Sequence, residues 1–269
     1  MLLIMSRVLV QPAISIHRPR RRFDEYVDYA IKQDFNFELV DFAIPVHTRA
    51  EASRFAKTYA SDKRLKGRLT SMHGVFIDLY LNSPDVAIRK VAEDRIIQNL
   101  EVAQQLKVKY VVFHTNSLPM INKKEYADGW VTAHAAFWSK MLKKYDCTIL
   151  LENMWDDSPE LLKRVIKTVG SSRLGVCFDI GHANVFSRVP VEVWFSKLGR
   201  HMPYLHLNDN DGQHDYEWPP GRGSVDWEGF SRLVQKYCDN PLAVIEVPDL
   251  KAIKSSIAYL KKNQVYPFV

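Results

Sequence analysis

Residues 147–186 read CTILLENMWDDSPELLKRVIKTVGSSRLGVCFDIGHANVF, and their pattern decides the fold. The short apolar run Cys147–Asn153 is followed by Ser158-Pro159-Glu160, where a capped helix begins, and by helically spaced apolar residues over Leu161–Val169. A second apolar run, Leu174–Asp179, comes next and ends on an ionisable side chain. Strand, helix and strand in that order form the unit in which parallel strands pair through a right-handed crossover.

The same alternation extends to both ends of the chain. Further short apolar runs lie at Val8–Ser15, Phe37–Phe42, Arg68–Phe76, Lys109–His114, Tyr204–Asn208 and Leu242–Val247, which makes eight strands in all. Between them Asp85–Leu106 carries Val91, Ile96, Ile97, Leu100, Ala103 and Leu106 on one helical stripe and starts at Ser83-Pro84-Asp85. Asp226–Tyr237, opened by Ser224 or Asp226 as cap, and Lys251–Lys261 supply the last two helices. No composition break or Gly/Ser linker interrupts the series, so residues 1–269 are expected to form one (β/α)8 TIM-barrel domain. An open doubly wound sheet announces itself with a glycine-rich first turn, whereas Ser15-Ile16-His17-Arg18-Pro19-Arg20 has no glycine. Dinucleotide binding is therefore not expected.

Composition agrees with a soluble globular chain: 269 residues, 46% hydrophobic and 25% charged, figures foreign to disordered or collagen-like sequences. No apolar run reaches the ~18 residues of a membrane span. MLLIMSRVLV is broken by Arg7, and Arg7–Ser15 reads as a first strand rather than a signal peptide. Cys147, Cys177 and Cys238 are too few and too scattered for a disulfide framework. The expected location is cytoplasmic. The net charge of +6 keeps an anionic ligand in view, and Arg18-Pro19-Arg20-Arg21-Arg22 is either a phosphate contact or a solvated turn.

The carboxyl ends of the strands of such a barrel converge on one mouth, where a polar residue reads as chemistry. Here those ends carry His73, His114, Glu152, Asp179 with His182, His206 and Glu246. The loop after the seventh strand adds Asp209, Asp211, His214, Asp215 and Glu217. Each alone is an ordinary polar residue. Together at one mouth they would repel one another or need costly desolvation unless a cation held them. The set predicts a divalent-metal site, and its carboxylate and imidazole donors suit Mn²⁺, Mg²⁺, Co²⁺, Zn²⁺ or Fe²⁺.

The phrases SMHGVF, VVFHTNS, LLENM, FDIGHAN, HLNDND and PPGRGSVDW, with the strand-end residues they contain, resemble the xylose-isomerase-like barrel superfamily over nearly the whole chain. That group holds sugar and sugar-phosphate isomerases and epimerases together with endonuclease IV repair enzymes. Similarity to the isomerases implies one metal ion on Glu152, Asp179, His206 and Glu246. It also implies Glu152 and Glu246 as paired acid/base groups, and His182 on a substrate hydroxyl. Similarity to endonuclease IV implies that His73, His114, His182 and Asp215 join those four to hold two or three zinc ions. This chain departs from that family at Glu217, where a second histidine is expected. The resemblance also implies a homo-oligomer.

For an isomerase or epimerase, a metal ion polarises the carbonyl and lowers the pKa of the adjacent C–H, while two opposed carboxylates pass the proton. Glu152 and Glu246 complete that minimum for a small sugar, sugar phosphate or polyol derivative. For a phosphodiesterase acting at abasic sites in DNA, further ions on the extra histidines would generate hydroxide and clamp the phosphate. Around either chemistry, Trp155 is placed to stack on a sugar face or to anchor its loop. Asn208 and Arg222 would orient substrate or fix their loop. Phe76 reads as core or pocket wall. A binding module that had lost catalysis would lack one of the minimal four, and none is missing.

Overall fold

The computed structural model describes the backbone of residues 13–16 and all of residues 23–269. The Arg18–Arg22 cluster lies outside the described residues. Eight parallel strands close on themselves in chain order: β1 (Ala13–Ile16), β2 (Asn36–Leu39), β3 (Leu69–His73), β4 (Tyr110–His114), β5 (Thr148–Glu152), β6 (Leu174–Asp179), β7 (Tyr204–Leu207) and β8 (Leu242–Ile245). Closure is made by β1 against β8, with Ala13 opposite Val244 and Ile14 opposite Ile245. Around the barrel run α1 (Phe23–Lys32), α2 (Arg49–Ser61), α3 (Val86–Leu106), α4 (Lys124–Lys144), α5 (Glu160–Val169), α6 (Ile180–Phe186), α7 (Val191–Leu198), α8 (Trp227–Tyr237) and α9 (Leu250–Lys262).

The period-2 alternation of the strands sorts their side chains into two cores. Val111, Phe113, Ile149, Leu151, Val176 and Phe178 belong to the layer shared with the helices. Phe178, for example, is fully buried with its ring 5.7 Å from Trp194 and 5.0 Å from Phe195. Burial of a side chain of that size stabilises by about 1.5–3 kcal/mol. The alternate residues Val112, Leu150, Cys177, Tyr204 and Val244 form a separate apolar cluster inside the barrel. Two positions further along the same strands stand His114, Glu152, Asp179, His206 and Glu246. The candidate site is thus the next inward layer above a packed floor.

Helix starts follow local chemistry, with some differences from the sequence reading. Asp85, the last residue of the Ser83-Pro84-Asp85 start, caps α3, accepting from the Ala87 N–H at 2.7 Å. Asp226 caps α8, accepting from Gly229 N–H at 2.9 Å. Pro159 stands at the N-cap of α5 without a side-chain cap. Val91, expected on the buried stripe of α3, is 58% exposed, because that stripe runs through Ala92, Ile96, Leu100 and Ala103. All three cysteines are free and buried. Among the described residues no helix is long and apolar enough to cross a membrane.

Candidate metal centre

Glu152 occupies the middle of the mouth and is fully buried. Its Oε2 lies 3.2 Å from both His73 Nε2 and His114 Nε2, and its Oε1 lies 2.8 Å from His206 Nδ1. His206 Nδ1 is also 2.7 Å from Glu246 Oε2 and 3.9 Å from Asp179 Oδ2. Glu152, Asp179, His206 and Glu246 therefore present one donor atom each within 4.8 Å of one another. His73, His114 and Glu152 form a second such group, which shares Glu152.

Asp179 is held by both oxygens. Its Oδ1 accepts from the His182 N–H at the start of α6, and its Oδ2 accepts from Asn208 Nδ2, each at 2.7 Å. Asn153 brackets the same residue, accepting from Asp179 N–H and donating to Asp179 C=O at 2.9 Å. His182 Nδ1 lies 2.8 Å from Asn153 O, and its Nε2 faces Asp215 at 3.3 Å.

Burial and the close mix of signs perturb every group here. Burial opposes charge on His73, but the hydrogen bond and field of Glu152 outweigh it and push His73 up to about 9. Burial likewise opposes charge on His206, yet Cys177, Glu246, Glu152 and Glu38 raise it well above the ordinary imidazole range. Burial alone would raise Glu152, and the fields of His206 and His114 hold it well below the usual carboxylate range. His114 is lowered by burial. Burial pushes Asp179 up to about 7. Buried charges of this density persist when each is paired or when a cation replaces the shared protons. Three carboxylates and one imidazole are hard, anionic donors of the kind that suit a divalent ion, so the residues present fit such an ion.

Above this cluster lies a cavity of about 270 Å³. Its wall includes His73, Phe76, His114, His182, Asn208, Asp215, Glu217 and Glu246. Glu217 lines it from a left-handed backbone position, φ 48°, and burial with the nearby Glu246 raises its carboxyl to about 7. Trp155 is half-buried and is not among the lining residues, where Met154 takes its place. Arg222 is exposed and lies over the Trp218 ring at 4.7 Å, outside the cavity wall. His214 pairs with Asp211 in the open loop. Asp209 is taken up by the loop itself, accepting from Gly221 N–H, Val225 N–H and Trp227 Nε1–H. His134 is a core residue of α4, stacked on Trp130 at 3.8 Å and lowered to about 3 by burial.

Among the described residues Glu38, Asp41 and Asp156 are buried charges that the sequence reading passes over, and Glu38 faces a candidate ligand. Glu38 in β2 is fully buried inside the barrel, with Oε1 3.1 Å from His206 Nε2 and Oε2 accepting from the Tyr204 hydroxyl at 2.5 Å. Its signal in the sequence is a lone charge in an apolar strand, FNFELV.

Comparison with known proteins places this geometry in context. A sequence profile described as xylose isomerase-like TIM barrel matches residues 33–263. An uncharacterized protein of Methanocaldococcus jannaschii is 27% identical over 68% of this chain and 66% of its own length, just under two thirds. A probable endonuclease 4 of Aquifex aeolicus is 22% identical over 87% of this chain and 81% of its own. Among solved structures, the TTHB071 protein of Thermus thermophilus, soaked with ZnCl2, is 26% identical with a TM-score of 0.71 over 94% of this chain and 96% of that one. A D-tagatose 3-epimerase-like protein superposes with a TM-score of 0.73 at 22% identity, over 95% and 98% of the two chains.

Proposed function

The chain belongs to the xylose isomerase-like TIM barrel family, and on that premise we propose that it is a divalent-metal-dependent isomerase or epimerase of a sugar or related polyol derivative. The observation that carries the reading is the convergence of Glu152, Asp179, His206 and Glu246, with donor atoms within 4.8 Å, beneath a cavity of about 270 Å³. That volume is just under the ~300–1,000 Å³ of pockets for drug-sized ligands, which suits a smaller molecule of sugar size. The D-tagatose 3-epimerase-like neighbour supports the same class of substrate.

Glu152, Asp179, His206 and Glu246 would hold a divalent ion, which would supply polarisation of a substrate carbonyl and offset negative charge on the ionised carbon. Proton transfer falls to the chain. Glu246 lines the cavity and acts as the base that meets substrate. Glu152, its opposed partner on β5, is covered by His73, His114 and His206. Its acid role in this reading therefore runs through His73 on the cavity wall, whose own imidazolium proton is given to substrate while Glu152 balances the charge. His182 and Asn208, both on the cavity wall, orient hydroxyl groups. Phe76, Met154, Val40 and Val247 supply the apolar part of the wall, which limits access of water to the reacting carbon.

A second reading rests on the His73, His114 and Glu152 group, a further place for an ion, and on the endonuclease 4 relative. With two or three ions the site would hydrolyse phosphodiesters at abasic positions in DNA. Metal counting on protein purified without chelators, with assays on a panel of ketoses and on an abasic oligonucleotide, separates the two. One ion per chain with C–H exchange into solvent on a ketose is expected. Three ions with strand nicking would overturn the isomerase reading.

A further inference from the structure

We infer that Glu38 is a positioning residue for the metal centre: it fixes the tautomer of His206, so that Nε2 carries the proton and Nδ1 is offered to the ion. The inference rests on the metal reading of the site and names a residue outside the four proposed ligands.

The two faces of the His206 ring differ. Nδ1 looks toward Glu152 at 2.8 Å, Glu246 at 2.7 Å and Asp179 at 3.9 Å. Nε2 looks down into the barrel at Glu38 Oε1, 3.1 Å away. Both side chains are completely buried, and the contact stands off the line of an ideal hydrogen bond. Neither Glu38 Oε1 nor His206 Nε2 makes a hydrogen bond, and each is the ion-pair partner that the other has at this depth. A carboxylate at this depth costs several kcal/mol unless it is paired. Glu38 is paired on both sides, because its Oε2 accepts from the Tyr204 hydroxyl, which in turn lies 2.5 Å from the Ser71 hydroxyl.

Strand geometry makes the arrangement rigid. Glu38 and Ser71 are directly opposite in the β2–β3 register. Tyr204 and His206 are successive inward positions of β7. The carboxylate therefore sits in the floor layer, one level below the ligands, where the other strands place Val112, Leu150 and Cys177. A charge kept in an otherwise apolar layer and aimed at the far nitrogen of a ligand imidazole has the arrangement that orients metal-bound histidines. Its neighbours leave it no access to the cavity, so it acts through His206 and not on substrate.

The test measures Zn²⁺ affinity by competition with a chromophoric chelator, for wild-type protein and Glu38→Gln. Glu38→Gln is expected to bind about 10- to 100-fold more weakly, while the melting temperature without metal changes little. Equal affinity in a folded Glu38→Gln protein would overturn the inference and leave the metal reading standing. Wild-type protein that takes up no zinc would overturn both. Should the variant not fold, long-range ¹H–¹⁵N correlation on zinc-loaded, ¹⁵N-histidine wild-type protein decides the matter. A proton on His206 Nε2 is expected, and a proton on Nδ1 would refute the assignment.

Discussion

Glu246 differs from its partner Glu152 in one respect that matters for catalysis: it reaches the cavity, while Glu152 is wholly covered. The carboxylate of Glu246 is raised by burial but held low by His206, so it is ionised and ready to accept a proton. Glu246→Gln keeps the shape and removes the basicity. We expect turnover to fall by at least about 10²–10⁴-fold with an unchanged circular dichroism spectrum, and a fully active variant would remove Glu246 from proton transfer. The candidate ligands are legible because each lies at or beside the end of an apolar strand, so a charge in that place stands out against its own segment. Glu38 is not, since it lies one layer deeper and its partners, Tyr204 and His206, come from a strand 166 residues away. For Arg222 the sequence leaves two roles open, substrate or loop, and its guanidinium lies over the Trp218 ring in its own loop.

At the level of elements, α6 is the piece whose geometry the site most depends on. Asp179 serves both as the last residue of β6 and as the N-cap of α6, so the helix start and the candidate ligand share one side chain. Gly181 in the first turn lets the helix approach β7. A Cβ there would stand 1.7 Å from Asn208 Oδ1 and 2.8 Å from its Cγ. Asn208 would have to move, and with it the hydrogen bond to Asp179 Oδ2. Gly181→Ala is therefore predicted to cost about 1–3 kcal/mol of stability and to weaken metal affinity at least about tenfold, as bond partners of ligands do when lost. Calorimetric metal titration checks it, and wild-type affinity would show that Asp179 needs no help from Asn208. The eight strands could be read from apolar runs alone, since in a closed barrel both faces of a strand are covered. The close approach of α6 to Asn208 could not, because it depends on the packing of Gly181, a spatial fact, whereas the break between α6 and α7 falls at residues 187–190, where Pro190 stands at the start of α7.

Across the whole molecule the net charge of +6 is distributed in a way its total hides. Among the described residues the cavity wall contains no lysine or arginine, only imidazoles, carboxylates, Asn208 and apolar groups. Basic side chains instead surround grooves at the amino-terminal ends of the strands, Lys163, Lys167 and Arg200 at one and Lys66, Lys107 and Lys109 at another. Among the described residues, positive charge at the cavity wall comes from protons on histidine or from a bound ion, and the two compete for His206. A group whose pKa is raised in the folded chain, as that of His206 is, stays protonated to higher pH, and the rising proton activity at lower pH makes that proton harder for an ion to displace. An ion that binds only the folded chain at 100 times its Kd adds about 2.7 kcal/mol. For a domain of this size that is a rise of about 5–10 °C in Tm. Differential scanning fluorimetry with Mn²⁺ or Zn²⁺ at fixed total metal should therefore show a rise that shrinks steadily from pH 8 to pH 5, and chelator should abolish it. A rise that does not depend on pH would mean that the ion binds away from His206. No rise at any pH would mean that the protons alone hold the mouth together.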